Sequence, residues 1–376
     1  MRVEDMTRRE ILRLLALAAA GGCTSSSRPR PARPRLRLPP VRVAPGREIR
    51  TVVGLRPFRP SGFVVRGDKV GDKLIVHNYG HGGAGVTLSW GTADLAARIA
   101  LEPGAGRVAV LGSGAVGLAT ARLLQERGAT VTIYTAALPP ETTSNIAGAQ
   151  WFPFSAFDPG ALVGAFREQF LAAARFSYVR FQSLVGPRAG VRWMTNYLCL
   201  DRPPHEDGLL GRQSPIRDLI PDLADLTPEE NPFPRSFVRR FATMMIEPPT
   251  YLSALLTDVR LAGGAVVVRR FGSAAELATL PEPVIVNCTG LGAADLFGDP
   301  ELVPVKGQLT VLLPQPEVDY AIVAGDLYMF ARSDGILLGG THERGVATLE
   351  PNLEARRDLL ARHAAFFQNL IARPDG

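Results

Sequence analysis

Beyond Arg107 the chain alternates short apolar runs with amphipathic stretches. Arg107–Leu111 (RVAVL) is an apolar run of strand length. The stretch LATARLLQERG then places apolar residues at helical spacing, and ATVTIY (Ala129–Tyr134) is a second strand. Leu353–Ala372 carries another helical pattern. This predicts an α/β fold, and a length of 376 residues suggests two domains or one large two-lobed one. No stretch approaches the roughly 18 to 20 apolar residues that span a bilayer.

Composition changes this picture little. Hydrophobic residues make up 46% and charged residues 21%, an ordinary balance for a chain with a packed core. The net charge of +6 suggests nucleic acid at first sight. Ten of its arginines, however, lie between Arg28 and Arg59, largely in a Pro-rich stretch, and neither a basic helix nor interleaved aromatic and basic residues follow. No nucleic-acid partner is expected. Cys23, Cys199 and Cys288 cannot build a disulfide framework, and no Cys/His spacing suits a metal. Five histidines, at 77, 81, 205, 342 and 363, read as structural or solvated.

Residues 1–23 read as an export segment. Arg8-Arg9 resembles a twin-arginine signal, and the apolar run Leu14–Ala20 follows. Cys23 after Ala-Gly-Gly resembles a lipoprotein processing site, with simple cleavage and release as the alternative. Either predicts a periplasmic or extracellular protein, in the first case tethered to the membrane through Cys23. Residues 24–44, rich in Pro, Arg and Ser, are expected to form an extended linker.

Candidate chemistry begins at Gly112-Ser113-Gly114-Ala115-Val116-Gly117, placed between the first strand and the helix. Gly112 permits the tight turn, Gly114 lets a pyrophosphate approach the backbone, and Gly117 lets the helix pack on the strand. Free N–H groups at the helix start favour the phosphates. The carboxylate that takes ribose hydroxyls at the end of the second strand is missing, because Tyr134-Thr135-Ala136 stands there. Glu141 or Thr142-Thr143-Ser144 are the available substitutes. The gap disfavours NAD more than FAD.

Four further blocks resemble D-amino-acid oxidases. They are Val284–Leu309, Ala331–Gly345, HNYGHGGAGVTLSWGTA (His77–Ala93) and GLRPFRP (Gly54–Pro60). The likeness covers about Pro45 to Ala372, but the last two blocks close the chain in that family and come first here. The chain therefore reads as circularly permuted, with Glu102–Gly106 as the joint. The fold expected is a Rossmann-type FAD-binding lobe (102–184, 260–300) with a mixed-sheet substrate lobe (185–259, 301–350). Residues 45–101 would be the permuted segment and 351–372 a final helix.

The resemblance implies FAD as cofactor, with a D-amino acid and oxygen as reactants. It implies Arg56 for the substrate carboxylate, through two parallel hydrogen bonds, and the Gly83 carbonyl for the amine. Thr142, Thr143, Ser144, Gly148, Ala149, Gln150, Thr289 and Gly290 would hold the cofactor with the glycine turn. Backbone donors around Gly82, Gly83, Gly85, Val86 and Thr87 would face the flavin. Phe152 and Phe237 stand at positions assigned to the substrate lid, and Arg239 and Arg240 beside it would attract an acidic side chain. The competing functions are oxidation of glycine or another amine, and an FAD-binding lipoprotein without turnover. The oligomeric state is open.

Overall fold

The computed structural model describes residues 36–102 and 104–371. The export segment, Cys23 and the first part of the linker lie outside the described residues.

The strand before the glycine turn lies inside a six-stranded sheet. Its order is β2 (Val64–Val70), β3 (Lys73–Tyr79), β10 (Val284–Asn287), β4 (Arg107–Leu111), β5 (Thr130–Thr135) and β9 (Ala265–Val268). Every pairing from β3 to β9 is parallel. Strand β10 is wholly buried, as expected where a parallel sheet is covered on both faces. One face packs on α1 (Gly85–Leu101), α2 (Ala115–Glu126), α4 (Gly164–Ser183) and α5 (Pro248–Leu261). Helix α1 buries Leu88, Trp90, Ala93, Ala96, Ala97 and Ala100, which leaves almost no solvent side. The short helices α3 (Thr143–Ile146) and α6 (Gly292–Phe297) complete this lobe.

A nine-stranded mixed sheet forms the second lobe. It runs β1 (Glu48–Phe58), β11 (Val303–Leu312), β14 (Gly335–Gly339), β13 (Leu327–Arg332), β12 (Tyr320–Ala324), β6 (Val191–Leu200), β8 (Phe237–Ile246) and β7 (Ala224–Asp225). Strand β15 (Glu343–Arg344) pairs beside β14 on β11. Helix α7 (Leu353–Ile371) packs on the sheet through Leu359, Leu360, Phe366 and Phe367. At the start of β1, Glu48 accepts from Arg356 Nε at 2.8 Å, so the first strand and the last helix meet.

Two expected boundaries change. Residues 36–44 are extended but are not a free linker. Val41 is buried in the core of the second lobe, Leu36, Leu38 and Val43 pack around it, and Tyr320 donates to the Pro39 carbonyl at 2.8 Å. The apolar residues between the arginines are the reason, since their burial favours a docked strand. Helix α5 also leaves the substrate lobe to which residues up to 259 were assigned. Its Tyr251, Leu252, Leu255, Leu256 and Val259 belong to the same core as Leu118 of α2.

Replacing Val41 with Asp should lower stability by about 2 kcal/mol or more, because a charge would enter an apolar site. Thermal melting followed by circular dichroism checks this; an unchanged midpoint would mean that the segment is not part of the core.

Candidate active site

Between the two sheets lies a cavity of about 1130 Å³. It reaches from the glycine turn after β4 to the face of the nine-stranded sheet that carries Arg56. At the first end Gly112 has φ +99°, and a Cβ there would meet the Cys288 carbonyl oxygen at 2.7 Å. Glycine alone fits. Gly117 does not line the cavity. A Cβ on it would approach the Gly112 carbonyl oxygen to 2.0 Å, so it serves the close packing of α2 on the turn. Ser113, Gly114, Ala115 and Val116 do line it, and the Ala115 amide donates to Ser144 Oγ at 3.0 Å.

The loop after β5 follows the same wall. Thr142, Thr143, Ser144, Gly148, Ala149 and Gln150 all face the cavity, as do Thr289 and Gly290 after β10. Glu141 lines it too, as do Arg269, Arg270 and Phe271 from the loop after β9. Cys288 is buried, and burial pushes its thiol up to about 12. Such a thiol is a small packing group, not a nucleophile. Midway, Gly82, Gly83, Gly85, Val86 and Thr87 bring the start of α1 to the cavity. The Gly83 amide donates to the Ser155 carbonyl at 3.0 Å, and Thr87 donates to the Phe152 carbonyl at 3.2 Å. His81 lies beneath this turn, bonded to Thr92 at 2.9 Å and stacked on Phe63. Its burial lowers its pKa to about 3, so it is neutral.

Arg56 marks the other end. Gly54 pairs with Gly307 and Arg56 with Val305, which sets Arg56 and Gly307 on one face of β1 and β11. The guanidinium lies directly on Gly307, where a Cβ would come within 2.3 Å of Nη1. Across the sheet, Gly339 likewise admits the ring of Tyr328. The Tyr328 hydroxyl stands 3.5 Å from Arg56 Nη2. Leu198, Leu309, Val323 and Phe330 extend this wall with apolar side chains. Phe152 and Phe154, their rings 4.5 Å apart, face it from the loop after α3.

The lid assignment is corrected here. Phe237 is 39% exposed at the start of β8, paired with Leu200 and outside the cavity lining, so it cannot cover a substrate. The hydroxyl beside Arg56 comes instead from Tyr328, which sequence reasoning missed. Arg239 and Arg240 do not line the cavity either. Arg239 is buried, with Asp225 accepting from its Nε at 2.6 Å and Glu206 from its Nη2 at 2.8 Å. Its charge is consumed within the lobe.

Three buried polar atoms on the lining residues have no partner among the described residues: Arg56 Nη1, Asn78 Oδ1 and Gln150 Oε1. Buried polar groups are rarely left unpaired, so these fit a ligand that offers both donors and acceptors along the cavity. A glycine turn at a helix start, an elongated cavity and these atoms suit a dinucleotide. No group of side chains suited to a metal occurs among the described residues.

Residues 107–375 match the family model of the FAD dependent oxidoreductases. The chain belongs to this family. It is thus an FAD-dependent oxidoreductase, and the cavity residues named above are the ones available to hold FAD. The flavoenzyme is 32% identical over 266 residues to a D-amino-acid oxidase of Streptomyces coelicolor, covering 69% of this chain and 77% of that protein. It is 28% identical over 270 residues to human D-aspartate oxidase, covering 70% and 76%. The solved structure of glycine oxidase from Geobacillus kaustophilus superposes with a TM-score of 0.54 at 19% identity, covering 70% of this chain and 79% of that one. That likeness shows the shared fold.

The buried histidines make the flavoenzyme acid-sensitive. His81, and His363 of α7 with a pKa lowered by burial to about 4, bind protons near the ordinary value of about 6.5 only after unfolding. Between these values the unfolded state holds more protons, so stability is full above about pH 7 and falls as pH drops toward 4. Denaturant midpoints at pH 7 and pH 5 should differ in that direction. His363→Gln should flatten the difference, and equal slopes in both proteins would refute the cause.

Proposed function

We propose that the protein is a D-amino-acid oxidase built on a circularly permuted chain. The observation that carries this reading is Arg56. It is a half-buried guanidinium with an unpartnered Nη1, laid on Gly307 beside the Tyr328 hydroxyl, in the same cavity as the glycine turn. A planar fork of donors with a neighbouring hydroxyl suits a carboxylate. The Streptomyces coelicolor relative supports the D-configuration of the substrate.

FAD, held by the glycine turn, the Thr142–Gln150 loop and Thr289–Gly290, would supply the acceptor for the α-hydrogen as hydride, with oxygen as the final electron acceptor and hydrogen peroxide as its product. The work of the chain is to bind and orient. Arg56 and Tyr328 hold the carboxylate. The Gly83 carbonyl accepts from the neutral amine, on a turn whose α-carbon flanks the Arg56 side chain. Backbone donors at the start of α1 offset the negative charge that accumulates on the flavin side. Phe152, Phe154 and the apolar wall exclude water. The imino acid so formed hydrolyses to a 2-oxo acid and ammonia. An apolar wall without a second arginine at this end favours neutral side chains over D-aspartate.

Permutation is supported by the placement of β1 in the mixed sheet and of β2 and β3 in the six-stranded one, with α1 packed on the latter, although all four precede the family match at residue 107. The Glu48–Arg356 contact brings the opened ends together. Export rests on the Arg8-Arg9 segment alone. A second reading, oxidation of glycine or a small secondary amine, is favoured by the Phe152–Phe154 pair, which narrows the substrate end.

Peroxide release from a panel of D- and L-amino acids, glycine and N-methylglycine tests the proposal. Turnover of D-amino acids only is expected. Arg56→Ala should lower kcat/KM by about a hundredfold or more while leaving the bound-flavin spectrum intact. Turnover of glycine or N-methylglycine alone would select the second reading, and an unaffected Arg56→Ala would refute the carboxylate site.

A further inference from the structure

Beside Arg56 stands an imidazole that none of these roles uses. Strand β15 pairs with β11 so that Arg344 faces Val305 and Glu343 faces Lys306. Just before it, Thr341 Oγ1 accepts from the Gln308 amide at 2.6 Å, and His342 lies between that contact and β15. Gly307 is the residue on which the Arg56 guanidinium lies. His342 lines the same cavity as Arg56, feels the charge of that guanidinium, and has no hydrogen-bond partner among the described residues.

We infer that His342 is a substrate-binding group, a third polar contact to the carboxylate that docks on Arg56, and that it takes up a proton when that carboxylate arrives. The inference rests on the reading of Arg56 as the carboxylate anchor. Its chemistry is a proton transfer alone: one proton passes from solvent to an imidazole nitrogen, and the resulting imidazolium donates to a carboxylate oxygen. A carboxylate accepts at about four lone-pair sites. Arg56 and Tyr328 leave room for a further donor.

The charges around His342 explain why the proton waits for the ligand. Arg56 on β1 and Arg344, two residues along the chain, act on it as cations. Glu343 adjoins it in sequence, and Asp326 and Tyr328 line the same cavity. Asp326 is paired with Arg362, and Arg344 is held by Asp158 at 3.3 Å. Partial desolvation of this exposed side chain and the two arginines keep the imidazole below its ordinary pKa. An anion on Arg56 cancels the nearer of these fields and favours the charged form. Ligand binding then takes up a proton. By linkage, affinity rises as pH falls through the window between the free and the liganded pKa.

The test uses the FAD-loaded protein and propanoate, a carboxylate without an amine, titrated by the change in flavin absorbance between about pH 8 and 5.5. In the wild type the dissociation constant should fall about tenfold toward the acid end, with proton uptake visible in weakly buffered indicator solution. H342Q keeps a hydrogen bond but cannot titrate, so its dissociation constant should be flat with pH. H342L should be flat and weaker at pH 5.5, and an unchanged flavin spectrum shows that both variants fold. A wild-type curve that is flat, or that H342Q reproduces, overturns the role of His342. Propanoate bound equally well by R56A overturns the carboxylate anchor itself, a failure that is separate and recognisable.

Discussion

A guanidinium set against the face of a β-sheet, without an anion of its own, is the constraint around which the substrate end is organised. Arg56 can lie flat there because Gly307 has no side chain, and Tyr328 can stand beside it because Gly339 has none. Desolvating a cation without a counter-charge is costly. Here Nη1 has no partner among the described residues, and the pKa of His342 on the same cavity is lowered by partial desolvation and by the charge of Arg56. In the proposed reading, the missing charge comes from the substrate carboxylate.

The two sheets divide the labour. The parallel sheet delivers a helix start and a glycine turn, the geometry that phosphates require, while the mixed sheet delivers a rigid wall of alternating side chains. Neither sheet is complete without residues 45–101: β1 closes one edge of the mixed sheet, and β3 lies beside β10 in the parallel one. Helix α1, sealed in the core on nearly every side, fixes the Gly82–Thr87 turn between the two ends of the cavity. Positioning of this kind depends on the packed interior, not on the loops alone.

The parts of this arrangement that were legible in the sequence are those governed by local sterics. The glycine turn and its flanking strands declare themselves in this way, whereas the Arg56 and HNYGHGG blocks are legible only through their resemblance to D-amino-acid oxidases. Tyr328 has neither signal. It sits in an ordinary apolar strand, and only its pairing opposite Gly339 brings its hydroxyl to Arg56. A lone histidine such as His342 is equally silent, because its setting depends on Arg56, which lies far away in the sequence. The Pro/Arg composition of residues 36–44 concealed Val41, whose burial depends on a distant sheet. Arg239 misled for the same reason: its charge is real, but Asp225 and Glu206 absorb it.

The most direct test of the central claim is anaerobic mixing of the flavin-loaded protein with paired enantiomers of neutral amino acids, following flavin absorbance. The account predicts that the D-form bleaches the flavin and the L-form leaves it oxidised. Bleaching by neither enantiomer, or equally by both, would contradict it.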